Sequence, residues 1–302
     1  MTNETAIHTE GLTKHYGDVR ALVDLDLDVR AGEVFGFLGP NGAGKTTTIR
    51  TLLDEIRPTA GRASILGMDT HRQSVEIRHH IGYVPGDLAM YPDLTGRDTL
   101  TYFANLRGGV DWEYVAGLAE RLDADLSKKV GDLSSGNRQK VGIIQAFMNR
   151  PDVLIMDEPS SGLDPLMQRE FQAMMREVVA EGRTVFLSSH TLSEVQRVAD
   201  RVGIIRHGLL VAVESVTDLR SKAMRRVEFE FGTPVEASVF ESVSGVRDVT
   251  VENHRVVLSY DGKMDSLLKT IADRYEVVDI TTREADLEEI FLTYYVDEEG
   301  GS

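Results

Sequence analysis

Short, continuous runs of apolar residues, each leading into a glycine-rich, acidic or small polar cluster, set the rhythm of the chain up to about residue 216. Val34-Phe35-Gly36-Phe37-Leu38 and Val153-Leu154-Ile155-Met156 are strand-sized and lack polar alternation, the pattern of strands covered on both faces. Thr184 to Leu187 is a further strand, running into Ser188-Ser189-His190. Helical stretches lie between these strands, as expected of an α/β domain. One runs from Thr47 to Leu53. Another is predicted from Asp164 as N-cap and Pro165 as first helical residue, and Gly182 ends it. Leu166, Phe171, Met174, Met175 and Val178 are read as the core-facing side of that helix.

From about residue 217 the pattern changes. Strands are predicted over Val227 to Phe231, Val246 to Glu252, Arg255 to Tyr260 and Glu276 to Thr281, with helices over Met264 to Arg274 and Asp286 to Tyr295. This reads as a small α+β accessory domain covering 217–302, after a first domain covering 1–216. No apolar run approaches the roughly 18 residues of a membrane span. The polar start, Met1-Thr2-Asn3-Glu4-Thr5, does not resemble a signal peptide. The expected location is therefore cytoplasmic, with any membrane role supplied by a partner.

The run at Val34 leads into Gly39-Pro40-Asn41-Gly42-Ala43-Gly44-Lys45-Thr46, which fits the G-x-x-x-x-G-K-[ST] phosphate loop and is followed by the helical stretch at Thr47. Glycines let backbone N–H groups wrap phosphate, and the helix N-terminus adds partial positive charge. Lys45 is expected to reach the β- and γ-phosphates, and Thr46 to bind Mg²⁺ through its hydroxyl. Asp157 and Glu158 close the run at Val153. A carboxylate at such a strand end suits Mg²⁺, which assigns Asp157 to the metal and Glu158 to the attacking water. His190 lies at another strand's C-terminal end, where open α/β sheets place their ligands.

Charge narrows the partners. The 302-residue chain is 41% hydrophobic, carries a net charge of −16 and has no cysteine. Disulfides and thiolate metal sites are excluded, and no basic footprint for nucleic acid is present. With 8 lysines against 25 arginines, the acidity fits a salt-adapted host, and the arginine bias equally fits a GC-rich genome.

Leu133-Ser134-Ser135-Gly136-Asn137-Arg138-Gln139-Lys140 precedes Asp157 by about one helix and one strand, and Ser161-Gly162-Leu163-Asp164 follows it. In this order the motifs over roughly residues 5 to 215 resemble the ABC ATPase family. The stretch Asp286-Leu287-Glu288-Glu289-Ile290-Phe291-Leu292 resembles the C-terminal extension of daunorubicin-resistance-type exporter subunits. The resemblance implies a RecA-like P-loop core with antiparallel β and helical subdomains, the latter at about 88–150. It also implies ATP with Mg²⁺ as cofactors, hydrolysis inside a nucleotide-sandwich dimer, and an integral membrane permease as partner. A homodimer peripheral to the inner membrane face is expected, with no nucleic acid bound.

By the same resemblance Tyr16 stacks on adenine, and Gly39 through Thr46 with Thr47 contact the nucleotide. Ser134 and Gly136 reach the γ-phosphate held by the opposite subunit, Asp164 lies on the loop crossing the dimer interface, and His190 is the γ-phosphate switch. Lys45, Glu158 and His190 form the catalytic set. Two positions depart from the family pattern. Ser135 and Asn137 replace Gly and Gln of the signature, and Gly86, followed by Asp87, stands where the family has a Gln that contacts Mg²⁺ and water.

A ribosome- or nucleic-acid-directed ABC ATPase is the alternative. It usually carries two cassettes, zinc-binding cysteines or a coiled-coil insertion, whereas about 112 residues separate Lys45 from Asp157 here. A GTPase would need an Asn-Lys-x-Asp motif, which is missing.

Overall fold

The computed structural model describes residues 5–222, 225–262 and 264–283. In chain order the first elements are β1 (Thr5–Tyr16), β2 (Val19–Arg30), β3 (Val34–Leu38), α1 (Lys45–Leu52), β4 (Ala60–Ile65), β5 (Met68–Asp69), α2 (Ser74–His80) and β6 (Ile81–Val84). Three helices follow, α3 (Gly96–Leu106), α4 (Trp112–Arg121) and α5 (Ser135–Phe147). Then come β7 (Val153–Asp157), α6 (Pro165–Ala180), β8 (Thr184–Ser189), α7 (Leu192–Val198), β9 (Arg201–Arg206), β10 (Leu209–Ser215) and α8 (Val216–Lys222). The last are β11 (Arg225–Phe231), α9 (Ala237–Glu241), β12 (Val246–Glu252), β13 (Arg255–Tyr260), α10 (Met264–Ala272) and β14 (Val277–Arg283).

The chain divides into two compact units, Met1–Glu214 and Ser215–Ser302. The first unit holds a six-stranded sheet in the order β10-β9-β3-β8-β7-β6, parallel from β9 to β6. Every residue of β3, β7 and β8 is buried, as the unbroken apolar runs require. Helix α7 packs so closely on β3 that a Cβ at Gly36 would come within 2.1 Å of Val195 Cγ1. A second, antiparallel sheet runs β2-β1-β4-β5. Its buried Ile7, Leu22, Leu25 and Leu27 join Phe35, Phe37 and Ile155 in one core cluster. The helices of residues 96–147 begin at polar caps: Thr95 with Asp98 in a capping box, Asp111, and Ser134.

In the second unit β11, β12, β13 and β14 pair antiparallel in the order β12-β13-β11-β14. Val227, Phe229, Phe231, Val256, Leu258 and Tyr260 alternate onto one face and meet Phe240 of α9 and Leu267 and Ile271 of α10. The expected α+β pattern is present over the described residues. Helix α9 adds one element the sequence did not announce. The expected helix over Asp286 to Tyr295, with the motif inside it, lies outside the described residues.

Helix α6 starts where expected: the Asp164 carboxylate accepts from the N–H groups of Leu166 and Met167, both at 3.0 Å, with Pro165 in the first turn. Its apolar face needs one correction. Phe171, Met174, Met175 and Val178 are buried, but Leu166 is 69% exposed. At about 100° per residue, position 166 lies about 130° from the centre of the face formed by the other four. The angle, not the residue type, decides. Phe171→Ala should therefore destabilise the first unit by about 3 kcal/mol or more, and Leu166→Ser by less than about 0.5 kcal/mol. Thermal melting of both variants checks this, and an equal loss at both positions would return Leu166 to the core.

Candidate active site

Strand register assembles the site. Leu38 at the end of β3 stands opposite Ser189 of β8, and Ser188 stands opposite Asp157 of β7. The Gly39 N–H donates to the Ser189 carbonyl at 3.3 Å. The three segments that leave these strands are thus tied at their first residues, at the C-terminal edge of the parallel sheet.

The loop after β3 turns tightly, with the Ala43 N–H donating to the Pro40 carbonyl at 3.1 Å. Gly39 admits no side chain, since a Cβ there would lie 2.3 Å from the Ile205 carbonyl oxygen. Gly44 takes φ 115° and caps α1, so the helix begins at Lys45, two residues before the stretch read from sequence. Lys45 is buried, and its Nζ donates to the carbonyls of Gly39 at 2.7 Å and Pro40 at 3.3 Å. Asn41, Gly42, Ala43, Thr46 and Thr47, with Lys45 and Glu158, border a cleft of about 420 Å³.

Asp157 is buried beneath that cleft. Its Oδ2 accepts from the Thr46 hydroxyl at 2.7 Å, and its Oδ1 accepts from the Ser188 hydroxyl. A carboxylate paired with a hydroxyl in this way is a hard-oxygen donor set, which suits Mg²⁺. Glu158 leaves the strand through φ 49°, a left-handed conformation uncommon outside glycine. Its N–H is held by the Ser188 carbonyl at 3.2 Å and hydroxyl at 3.1 Å. The turn aims its carboxylate across the cleft. Oε1 lies 3.3 Å from Lys45 Nζ, and Oε2 lies 2.7 Å from His190 Nδ1. Lys45, Thr46, Asp157, Glu158 and His190 therefore form one contiguous group.

The remaining sequence candidates take other places. Tyr16 ends β1 and is 46% exposed, and the Lys14 ammonium lies 5.0 Å from its ring centroid. Ser134 caps α5 by accepting from the Asn137 N–H at 3.3 Å. Gly136 packs on the loop after Glu158, where a Cβ would meet the Gly162 carbonyl oxygen at 2.4 Å. Asp164 caps α6 on the far side of the same loop. Neither Ser134, Gly136 nor Asp164 borders the cleft of its own chain. Gly86 does sit against the site: a Cβ there would lie 3.3 Å from Asp157 Oδ2. Asp87 is exposed beside it. Nearby, burial pushes the Tyr83 phenol well above its ordinary range, with the Glu55 and Asp157 carboxylates adding to the effect. That hydroxyl stays protonated.

Sequence reading missed four residues. Ser188 supports both Asp157 and Glu158, and Gln139 Nε2 donates to the Pro159 carbonyl at 2.8 Å, tying α5 to the loop after Glu158. Arg20 and His207 line the cleft from outside any motif. Only a run of polar residues at a strand's end hinted at Ser188, Gln139 lay inside the Leu133–Lys140 motif with no role read for it, and Arg20 and His207 had no local signal.

The sequence profile of the ABC transporter family matches residues 22–161. The chain is 34% identical over 297 residues to the bacitracin transport ATP-binding protein BcrA of Bacillus licheniformis, covering 95% of this chain and 96% of that one. This chain is an ATP-binding subunit of the ABC transporter family. The daunorubicin resistance ATP-binding protein DrrA3 of Streptomyces coeruleorubidus is 33% identical over 306 residues, 96% of this chain and 95% of that one. A solved ATP-binding subunit of an ABC transporter superposes with TM-score 0.67 at 32% identity, over 72% of this chain and 93% of that chain. A dimeric ATP-binding cassette in a post-hydrolysis state bound to ADP and Pi shares the fold, with TM-score 0.64 at 22% identity over 70% and 98% of the two chains. This ABC subunit binds and hydrolyses ATP, and its RecA-like core is the six-stranded sheet. No helix among its described residues is long and apolar enough to cross a membrane. ATP-binding subunits of this family pair with a membrane permease.

The contact at Gly86 is open to test. An added methyl at 3.3 Å presses on the Asp157 carboxylate, so Gly86→Ala should lower the ATPase rate about threefold, roughly 0.7 kcal/mol of barrier. Gly86→Gln adds an amide able to engage the same carboxylate or a water, and should exceed the alanine variant. Equal steady-state rates for parent, alanine and glutamine enzymes would show that position 86 has no bearing on the site.

Proposed function

We propose that ATP lies along the cleft from Tyr16 to Glu158, with the adenine on Tyr16, the phosphates in the Gly39–Thr47 loop and the γ-phosphate at Lys45. The observation that carries this reading is the Lys45–Glu158–His190 group, with Oε1 and Oε2 of Glu158 held at 3.3 and 2.7 Å. Thr46 and Asp157 would hold Mg²⁺, which neutralises phosphate charge when bound. Glu158 accepts the proton of the attacking water, and His190 fixes the orientation of its carboxylate. Lys45 stabilises the charge that builds on the transferred phosphoryl group. Ser134 and Gly136 complete the site of a second copy of this chain, and Asp164 lies at the seam, which makes the working unit a homodimer.

The names of the relatives support an exporter of antibiotic-like compounds, with the cargo chosen by an integral membrane permease. A groove of about 570 Å³ on the first unit supports permease docking at the inner face of the membrane. Leu53, Val75, Tyr83, Leu88, Phe103 and Leu106 line it. Val75 and Leu106 are 70% and 65% exposed, an apolar surface of the kind that marks a partner site. The unit Ser215–Ser302 contains none of the phosphate-binding motifs, and is an accessory domain in this reading.

Glu158→Gln keeps size and hydrogen-bonding reach but cannot accept the proton. It should bind ATP, hydrolyse it at least about a hundredfold more slowly and accumulate as a dimer on size-exclusion chromatography with ATP and Mg²⁺. Lys45→Ala should weaken nucleotide binding and give no such dimer. A Glu158→Gln enzyme that turns over near the parent rate would remove Glu158 from the proposed role. For the groove, Leu106→Glu should leave the ATPase rate of the isolated subunit unchanged and abolish co-purification with a membrane protein. Retained co-purification would place docking elsewhere.

A further inference from the structure

Two basic side chains in the nucleotide cleft belong to no motif. Arg20 of β2 and His207 of the β9–β10 turn border the same cavity as Asn41 through Thr47. His207 and Gly208 form a two-residue hairpin turn with φ 49° and 80°, the signs of a type I′ turn. The turn is pinned on two sides. The Gly208 N–H donates to the Ala43 carbonyl at 2.9 Å, and the Gly208 carbonyl accepts from the Val23 N–H at 2.9 Å. The fit is close, since a Cβ at Gly208 would lie 2.8 Å from the Ala21 carbonyl oxygen. His207 is therefore presented to the cleft by a turn fixed to the phosphate loop itself.

Arg20 is positioned by strand pairing. It stands opposite His15, one register step from the Tyr16–Val19 pair. Tyr16 pairs with Val19, and Val19 borders the cleft together with Arg20, Ala21 and His207, as Lys45 and Glu158 also do. A nucleotide with its adenine on Tyr16 and its γ-phosphate at Lys45 presents its ribose and α-phosphate between those two contacts. The one carboxylate bordering the cleft, Glu158, is engaged by Lys45 and His190. In a chain of net charge −16, the arginine bordering the phosphate cleft is a local reversal of charge.

We infer that Arg20 and His207 bind the ribose–α-phosphate segment of the nucleotide, with the guanidinium on phosphate and the imidazole on the sugar–phosphate junction. This rests on the cleft holding ATP as proposed above. Because that segment is common to ATP and ADP, the pair sets affinity for both and leaves the hydrolytic group untouched.

The test is calorimetric binding of ADP and ATP, with steady-state ATPase kinetics, on the full chain. His207→Gly removes the imidazole while keeping a residue suited to positive φ. Arg20→Ala removes the charge, and Arg20→Lys returns it. Each single loss should raise Kd for ADP and ATP alike by about fivefold, the scale of one exposed charge-assisted contact. The double variant should raise Kd about twentyfold, Arg20→Lys should recover most of the loss, and kcat at saturating ATP should stay within about twofold. Melting temperatures without nucleotide should match the parent. A double variant that binds ADP like the parent overturns the inference, as does an affinity loss that appears only with a fall in melting temperature. If Lys45→Ala also leaves ATP affinity intact, the site reading itself has failed, which separates the two outcomes.

Discussion

The parallel pairing of β3, β8 and β7 places Leu38 opposite Ser189 and Ser188 opposite Asp157, and the Lys45–Asp157–Glu158–His190 cluster follows from that alignment. The strands are buried on both faces, so their register is held by core packing. A slip of one residue would invert the facing of every side chain on the slipped strand. It would also break the Thr46–Asp157 hydrogen bond, because the two residues meet only when both strands end at the same level. Ser188 turns register into orientation. Its hydroxyl and carbonyl hold the Glu158 N–H, keeping a non-glycine residue at φ 49°. Such a conformation is retained only where the surroundings over-determine it.

The same logic extends to the loop after Glu158. Gln139 of α5 holds the Pro159 carbonyl, and Gly136 packs on Gly162. The N-terminus of α5 is thereby fixed to the segment that begins at Glu158 and ends at the cap of α6. The substitutions at Ser135 and Asn137 leave this arrangement intact. The Ser134 cap uses a backbone N–H of residue 137, not its side chain, and the close approach at residue 136 needs only the absence of a Cβ.

What could be read from sequence was local. The phosphate loop, the carboxylates at the end of β7 and the cap and first turn of α6 are each written in consecutive residues, and each stands where the pattern put it. The alternating strands of the second unit were equally legible. Leu166 was misplaced because residue type was read without its angle around the helix. Helix α9 was missed because it spans five residues and has no side-chain cap. Gly86 announced itself as a departure from the family, but its contact with Asp157 joins positions that are remote in the chain. Gln139 stood inside the Leu133–Lys140 motif, but its bond to the Pro159 carbonyl joins α5 to a loop remote in the chain. Arg20 and His207 were silent for the same reason: strand pairing and a pinned hairpin bring them to the site, and neither leaves a mark in neighbouring residues.

The carboxylate of Glu158 sits 3.3 Å from an ammonium group whose side chain is 6% exposed. A buried cation without a counterion is costly, and Lys45 has one built into its own chain. In the site proposed above, Glu158 is a resident anion where the phosphate would bind, and a nucleotide would displace it from Lys45. The exchange trades one ion pair for another, which trims the net free energy of binding. It also means that departing product does not strand a bare charge in the protein. An ATPase that must let go of ADP on each cycle would gain a lower barrier to release from the same residue proposed to serve its chemistry.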